Sequence, residues 1–400
     1  MSRNLLFITP MMPGLCTSGS SMRAGMVLQA LTKRFEVHVL LVPLGSRIAH
    51  RTLPDQFAEL RSRFMVVDDT SGVLAPRFRW GRVAADAGDV AVNSFVEETL
   101  RPWRHIRFDA VHIYRLPLAP FARGFDGAVV KRFLDLDDIE SITSDRLAKL
   151  YRQNNRTRSA RSSHRYANVH RLREERCLRN FDGVFVCSRD DALLLQKMYR
   201  CAAFVLPNTV TLPPAVHSGR HATLTLLFVG SMDYHPNEDA ALQLADVVLP
   251  CIPRSSHFGA QLLIVGNRPP DSVLALGSRR GITVTGAVDS VTPYYRQATL
   301  AVVPLRAGGG TRIKILEAAA HCVPVVSTPV GAEGLDVADG RELLIAHTPE
   351  EMADHCVRLW QDDGLRSRLV RNAYSWVTSK HTASALDRAF AEAHTLAGLN

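Results

Sequence analysis

Gly308-Gly309-Gly310-Thr311-Arg312-Ile313-Lys314-Ile315-Leu316-Glu317 gathers three glycines, two cations and a carboxylate within ten residues. The apolar run Leu300-Ala301-Val302-Val303-Pro304-Leu305 precedes it, and residues 313–320 read as a helix, so the glycines occupy a strand-to-helix turn. Such a turn aims backbone N–H groups and the positive helix end at whatever lies in front of it. Glycines let an anion come close to the backbone, while Arg312 and Lys314 add full charges within the first turn. Glu317 lies further along the same helix, where a carboxylate does not help a phosphate but can accept two hydrogen bonds from a sugar diol. The spacing suits a nucleotide, with diphosphate at the helix start and ribose hydroxyls at the carboxylate. Taken alone, the same turn is equally a flexible connection with solvated charges.

The elements that must hold this stretch alternate strand and helix. Residues 4–9 are a buried-type strand, 10–21 a Pro, Gly and Ser loop, 21–34 a helix and 35–42 the next strand, which begins a β-α-β alternation and hence a parallel sheet. Strands are also expected within 108–115, 130–137, 181–188 and 203–206, with one polar helical region over 146–179 and a helix over 190–199. A second alternation begins at Leu224-Thr225-Leu226-Leu227-Phe228-Val229-Gly230. It continues through 261–267 and 282–288, each a strand with a glycine at its end (Gly266, Gly286), and helices over 350–362, 365–377 and 381–397 close the chain.

The 400 residues, 46% hydrophobic and 22% charged, are enough for two domains. Seven scattered cysteines without a Cys-x-x-Cys pair make neither a disulfide framework nor a zinc site, which points to a reducing compartment. No apolar run approaches the ~20 residues of a bilayer span, and Leu5-Leu6-Phe7-Ile8 is too short for a signal-peptide core. Residues 1–210 carry 32 Lys and Arg against 21 Asp and Glu, whereas residues 211–400 carry 16 against 18. The basic first half is expected to face an anionic partner. Arg152, Arg156, Arg158, Arg161, Arg165, Arg171, Arg173 and Arg176 concentrate that charge, either as a solvated helix face or as a surface for anionic lipid. Pro76-Arg77-Phe78-Arg79-Trp80-Gly81-Arg82 interleaves aromatics with arginines and reads as a loop, with membrane contact as the alternative.

After Glu317, His321-Cys322-Val323-Pro324-Val325-Val326-Ser327-Thr328-Pro329-Val330-Gly331-Ala332-Glu333-Gly334-Leu335 continues as turn, buried strand and glycine loop. Together with residues 308–317 it resembles the donor-binding motif of retaining glycosyltransferases of family 4. The resemblance covers nearly the whole chain and implies the GT-B fold, an α/β architecture of two Rossmann-like domains with parallel sheets facing across a cleft. It divides the chain into an acceptor-side domain over 1–210, a linker over 211–220, a nucleotide-sugar domain over 221–378 and a last helix over 379–400 returning to the first domain. It implies transfer from a nucleotide sugar to an acceptor hydroxyl with retention of configuration, no cofactor beyond a UDP- or GDP-sugar co-substrate, and no metal. A glycan or lipid-linked acceptor is expected, with a peripheral, cytoplasmic location; nucleic acid is not expected as a partner.

The donor side is expected to comprise Gly230, Ser231, Met232, Gly266, Gly286, Val288, Gly308, Gly309, Gly310, Thr311, Arg312, Lys314 and Glu317. Arg312, Lys314, Glu317 and Tyr114 are the catalytic candidates. Gly19, Arg23, His112, Tyr114, Asp137 and Asp138 are assigned to the acceptor or sugar side, because the loop after the first strand and the ends of 108–115 and 130–137 correspond to that part of the family. Asp135-x-Asp137 has the spacing by which a different glycosyltransferase fold holds a divalent ion. Two departures stand out. The family's motif of two glutamates separated by seven residues has Gly309 in place of the first, and the Arg and Lys usual near Ser231-Met232-Asp233-Tyr234-His235-Pro236-Asn237 are missing. A GT-B epimerase or phosphorylase, and an inactive basic scaffold binding membrane or nucleic acid, remain the alternatives.

Overall fold

The computed structural model describes residues 3–14, 19–44, 52–67, 90–125, 130–214, 223–252 and 259–398. The Arg-aromatic stretch 76–82 and residues 215–220 of the expected linker lie outside these. The chain divides into two compact units, Met1–Asn208 with Leu386–Asn400, and Thr209–Ala385.

The first unit is built on a seven-stranded sheet: β1 (Asn4–Thr9), β2 (Glu36–Leu41), β3 (Phe64–Val66), β4 (Ala110–Tyr114), β5 (Lys131–Asp137), β6 (Gly183–Val186) and β7 (Ala203–Val205). Its order is β3-β2-β1-β4-β5-β6-β7, with every pair parallel. Parallel strands are covered on both faces and so are apolar at successive positions rather than alternating. Leu5, Leu6, Phe7 and Ile8 accordingly have no exposed surface. Two cores result: Leu6, Ile8, Val111 and Ile113 point to one, Leu5, Phe7, Ala110 and Tyr114 to the other. The last helix, Ala383–Leu396, supplies Leu386, Phe390 and Ala393 to the second core.

The polar region over 146–179 belongs to a helical hairpin rather than one helix: Glu140–Gln153 and Thr157–Cys177 pack along each other. Asn155 has a left-handed backbone (φ 57) between them, a conformation Asn accepts more readily than most residues. The second helix buries Ala160, Ser163 and Ala167, small groups at helical spacing that permit close approach, and His170 one turn further on. Arg158, Arg161, Arg165 and Arg176 are exposed.

The second unit holds a six-stranded parallel sheet: β8 (Thr225–Val229), β9 (Gln261–Val265), β10 (Ile282–Val284), β11 (Leu300–Val303), β12 (Val325–Ser327) and β13 (Leu344–Ile345), in the order β10-β9-β8-β11-β12-β13. In each sheet the order reverses beside the unit's first strand, between β1 and β4 and between β8 and β11. In open α/β sheets such a switch point is where strand ends leave room for a ligand. Among the described residues no helix is long and apolar enough to cross a membrane.

Candidate functional site

At the switch point of the second sheet, β8 ends at Val229 and β11 at Val303, and the loops that follow carry Gly230 and the 308–312 turn. Three glycines hold the neighbouring strand ends together. Gly230 N–H donates to Val265 O at 3.0 Å and Gly266 N–H to Gly286 O at 3.2 Å. Gly266 has φ 153, and a Cβ there would lie 1.7 Å from Gly230 O, so no side chain fits. Ser231 Oγ lies 2.6 Å from Asp233 Oδ1, and Met232 N–H donates to Asn267 O at 2.9 Å. The Met232 side chain is 1% exposed and belongs to the core, and Val288 packs partly against that core. Both were assigned to the donor side; the Met232 side chain is enclosed in the core.

The helix Ile313–Ala320 starts with no side-chain cap, so its first-turn N–H groups have no such partner. Gly308 (φ 139) and Gly310 (φ 63) give the preceding turn its shape. Arg312 differs from expectation. It is 6% exposed, and its guanidinium folds under the turn, donating to Gly309 O, Gly310 O and Val330 O. A guanidinium so placed satisfies carbonyls left over by the glycine turn. Thr311 is also buried.

Lys314 carries the charge that remains available. Its Nζ donates to Asn237 Oδ1 at 2.8 Å and stands 4.1 Å from the centre of the Phe228 ring. Asn237 is itself fixed, Nδ2 donating to Ser231 O at 2.8 Å. Burial, seconded by the Arg312 charge, pushes the Lys314 ammonium down to about 7 despite the attraction of Glu317. The Glu317 carboxyl is pushed up to about 7 by burial, which outweighs its hydrogen bond from Tyr295 and the Lys314 charge. Tyr295 OH donates to Glu317 Oε2 at 3.1 Å. Lys314 and Glu317 are nonetheless half-buried rather than sealed. Gly230 is part of the same geometry, since a Cβ there would lie 2.8 Å from Asn237 Nδ2 and 3.0 Å from Lys314 Nζ.

Asn237, Tyr295 and Arg306 had no role in the sequence reading. Arg306 grips Asp239 bidentately, Nε to Oδ2 at 2.8 Å and Nη2 to Oδ1, and ties the helix His235–Gln243 to the loop after β11. The only signal for Asn237 was its place in the loop after β8.

The candidates of the first unit are mostly interior. Arg23 is 1% exposed: Nη2 meets Asp135 Oδ1 at 2.8 Å, and Nη1 donates to Leu206 O at 3.0 Å and Asn208 Oδ1 at 2.9 Å. It stitches β5 to the chain after β7 and does not reach solvent. Burial works against the Asp135 charge, but Arg23 holds its carboxyl below the ordinary range. His112 has no exposed surface and stacks on Phe185 at 5.5 Å, which makes it a core residue; burial lowers its basicity. Tyr114 is equally enclosed, its hydroxyl 3.2 Å from both Ser20 O and Asp137 Oδ2. Arg23, His112 and Tyr114, assigned to the acceptor or sugar side, thus each have partners inside the first unit. Gly19 is exposed and begins the helix Gly19–Thr32. Asp138 accepts from Arg115 Nη1 at 2.9 Å and Thr143 Oγ1 at 2.6 Å. Asp137, on a left-handed backbone (φ 68) at the end of β5, keeps some exposure. Burial raises its carboxyl's pKa in spite of Arg23 and Arg115. Each carboxylate of Asp135-x-Asp137 thus faces a guanidinium.

Two Rossmann-like units on parallel sheets of seven and six strands constitute the GT-B glycosyltransferase fold. Residues 223–362, which contain every candidate of the second unit, match the family model described as Glycosyl transferases group 1. The whole chain is similar to sucrose-phosphate synthase (tll1590) from Thermosynechococcus elongatus, with a TM-score of 0.72 at 16% identity over 98% of both chains. It is also similar to Anabaena Alr3699/HepE in complex with UDP-glucose (TM-score 0.66, 14% identity, 98% of this chain and 99% of that one). A third likeness is to WaaG, a glycosyltransferase involved in lipopolysaccharide biosynthesis (TM-score 0.63, 15% identity, 98% and 100%). No curated protein matches the chain.

Proposed function

We propose that the protein is a retaining glycosyltransferase of family 4 that moves a sugar from a nucleotide sugar to an acceptor hydroxyl without a metal ion. The observation that carries this reading is Lys314 and Glu317 on one uncapped helix at the switch point of the second sheet, both half-buried and each hydrogen-bonded to a neutral side chain, Asn237 and Tyr295. Burial that shifts an ammonium and a carboxyl towards their neutral forms costs stability, and an inactive scaffold would gain by losing them. A ligand with an anion for Lys314 and a diol for Glu317 compensates both. A nucleoside diphosphate has that pair of groups, and HepE is a structural neighbour solved with UDP-glucose.

In this reading the diphosphate lies against the amides of Gly309 and Gly310 and the Lys314 ammonium, while Glu317 accepts from the ribose. As the bond from the anomeric carbon to the phosphate oxygen breaks, negative charge grows on the leaving group. Preorganised donors meet it, one such donor being worth ~3–4 kcal/mol. The acceptor oxygen bonds to the same face, and its proton passes to the departing phosphate. Arg312 contributes by holding the turn in shape. The guanidinium opposite each carboxylate of Asp135-x-Asp137 supports metal independence. Gly309 leaves the donor sugar without the family's first glutamate, so backbone amides take part of that task.

The acceptor in this reading is a glycan or lipid-linked one used at a membrane surface, and the exposed arginines of Thr157–Cys177 support the membrane part. Cosedimentation with anionic vesicles at low salt tests that part. Incubation with a panel of UDP-, GDP- and ADP-sugars, following release of nucleoside diphosphate, tests the activity. Lys314→Ala and Glu317→Ala are each expected to lose most turnover while remaining folded; unchanged rates in both would overturn the site.

A further inference from the structure

Glu317 is held from behind by a second set of side chains that no step above uses. Tyr295 is 1% exposed, and its hydroxyl lies 3.1 Å from Glu317 Oε2 and 3.2 Å from Lys314 O. A phenol has one proton, so it donates to the carboxylate when Glu317 is ionised and is released to the carbonyl when Glu317 is protonated. The His321 ring stacks on Tyr295, centroids 4.6 Å apart and planes 17° from parallel. His321 Nδ1 lies 2.8 Å from Glu317 O, and because a carbonyl only accepts, the proton sits on Nδ1. Nε2 then accepts from Thr292 Oγ1 at 3.1 Å. Burial lowers the imidazole's basicity and so favours this neutral tautomer.

We propose that Tyr295, braced by His321 and Thr292, is a positioning residue that occupies Glu317 Oε2 and leaves Oε1 as the oxygen that receives a ribose diol. The proposal rests on Glu317 being the ribose-binding carboxylate. The brace grips the helix at three points, the carbonyls of Lys314 and Glu317 and the side chain of Glu317, so the carboxylate cannot rotate without breaking a hydrogen bond inside the core. A donor to the ionised form also keeps that form available at lower pH.

Calorimetric titration of the whole protein with UDP, GDP and ADP tests this without knowledge of the sugar or acceptor. For whichever diphosphate binds, Glu317→Ala is expected to weaken binding about 30-fold and Tyr295→Phe about 10-fold, with the double variant no weaker than Glu317→Ala alone. In Tyr295→Phe the acidic limb of the binding profile moves to higher pH by about one unit, and Thr292→Val moves it the same way by less. The 2′-deoxy diphosphate loses affinity against the natural protein and hardly any against Glu317→Ala. Additive losses in the double variant, or an unmoved pH limb in Tyr295→Phe, overturn the positioning role. Undiminished binding by Glu317→Ala overturns the ribose reading beneath it.

Discussion

Lys314→Met separates what the lysine does for function from what it does to the fold. In the unfolded chain the ammonium titrates at its ordinary 10.5, and in the folded protein at about 7. Each unit is worth about 1.4 kcal/mol, so holding the ammonium in place at pH 7 costs on the order of 4 kcal/mol at most. Methionine keeps the stem's packing over Phe228 and removes that cost, though it leaves Asn237 Oδ1 without its donor. A net gain of about 1–3 kcal/mol at pH 7 is expected, the usual range when a buried ion gives way to an apolar group. The pH dependence follows from the direction of the shift. Between about 7 and 10.5 the unfolded chain holds a proton that the folded chain has released, so rising pH stabilises the natural protein. The variant's advantage therefore shrinks by on the order of 2 kcal/mol between pH 7 and pH 9. Glu317, raised to about 7, contributes stability that is lost as pH climbs towards 7 and is flat above it. Urea unfolding at pH 7 and pH 9, with release of nucleoside diphosphate measured alongside, reads both halves. A variant that is less stable at pH 7, an advantage that grows with pH, or turnover that survives would each refute the reasoning.

Gly230→Ala pushes a methyl group into Asn237 and Lys314, and since the contacts are with side chains rather than backbone, the fold should survive while the displaced pair cuts turnover about 100-fold. Circular dichroism with the release assay checks this. Arg23→Met leaves Asp135 buried without its counter-charge and should cost about 3–5 kcal/mol by urea unfolding, with affinity for nucleoside diphosphate unchanged by calorimetry. A loss of affinity with no loss of stability would return Arg23 to the binding machinery. Reversing Arg158, Arg161 and Arg165 to Glu should lower partition onto anionic vesicles at least about 100-fold at low salt, at ~1 kcal/mol for each lost charge, and leave neutral vesicles unaffected.

The strand-to-helix stretch 308–317 was legible because glycine, cation and carboxylate positions are set by local spacing, and β11 and the helix Ile313–Ala320 fall where the pattern puts them. The parallel sheets were legible from runs such as Leu224-Thr225-Leu226-Leu227-Phe228, which are apolar at too many successive positions for a strand with one wet face. What spacing does not encode is direction. Whether Arg312 points outward or clasps its own turn depends on the backbone angles at Gly308 and Gly310. The partners that tune Lys314 and Glu317 lie far away in sequence, Asn237 at 77 residues and Tyr295 at 22, and only tertiary packing brings them in. In the first unit, Arg23, His112 and Tyr114 carry chemically versatile groups whose partners are brought in by long-range packing. The left-handed turn at Asn155 inside the polar region had no counterpart in the sequence reading, because the helical composition is alike on both sides of it.

Phe390 is fully enclosed among the aromatic rings of the first unit, within 6.0 Å of His112 and 5.9 Å of Phe185. During synthesis the sheet that begins at Asn4 must therefore wait for the helix Ala383–Leu396 before its interior is complete. Until then an oily socket stands open on the nascent chain, an obvious target for a holding chaperone. A stop codon just before Phe390 would spare every candidate site residue, yet it would strip the first unit of a plug whose truncation to alanine alone costs about 3–5 kcal/mol.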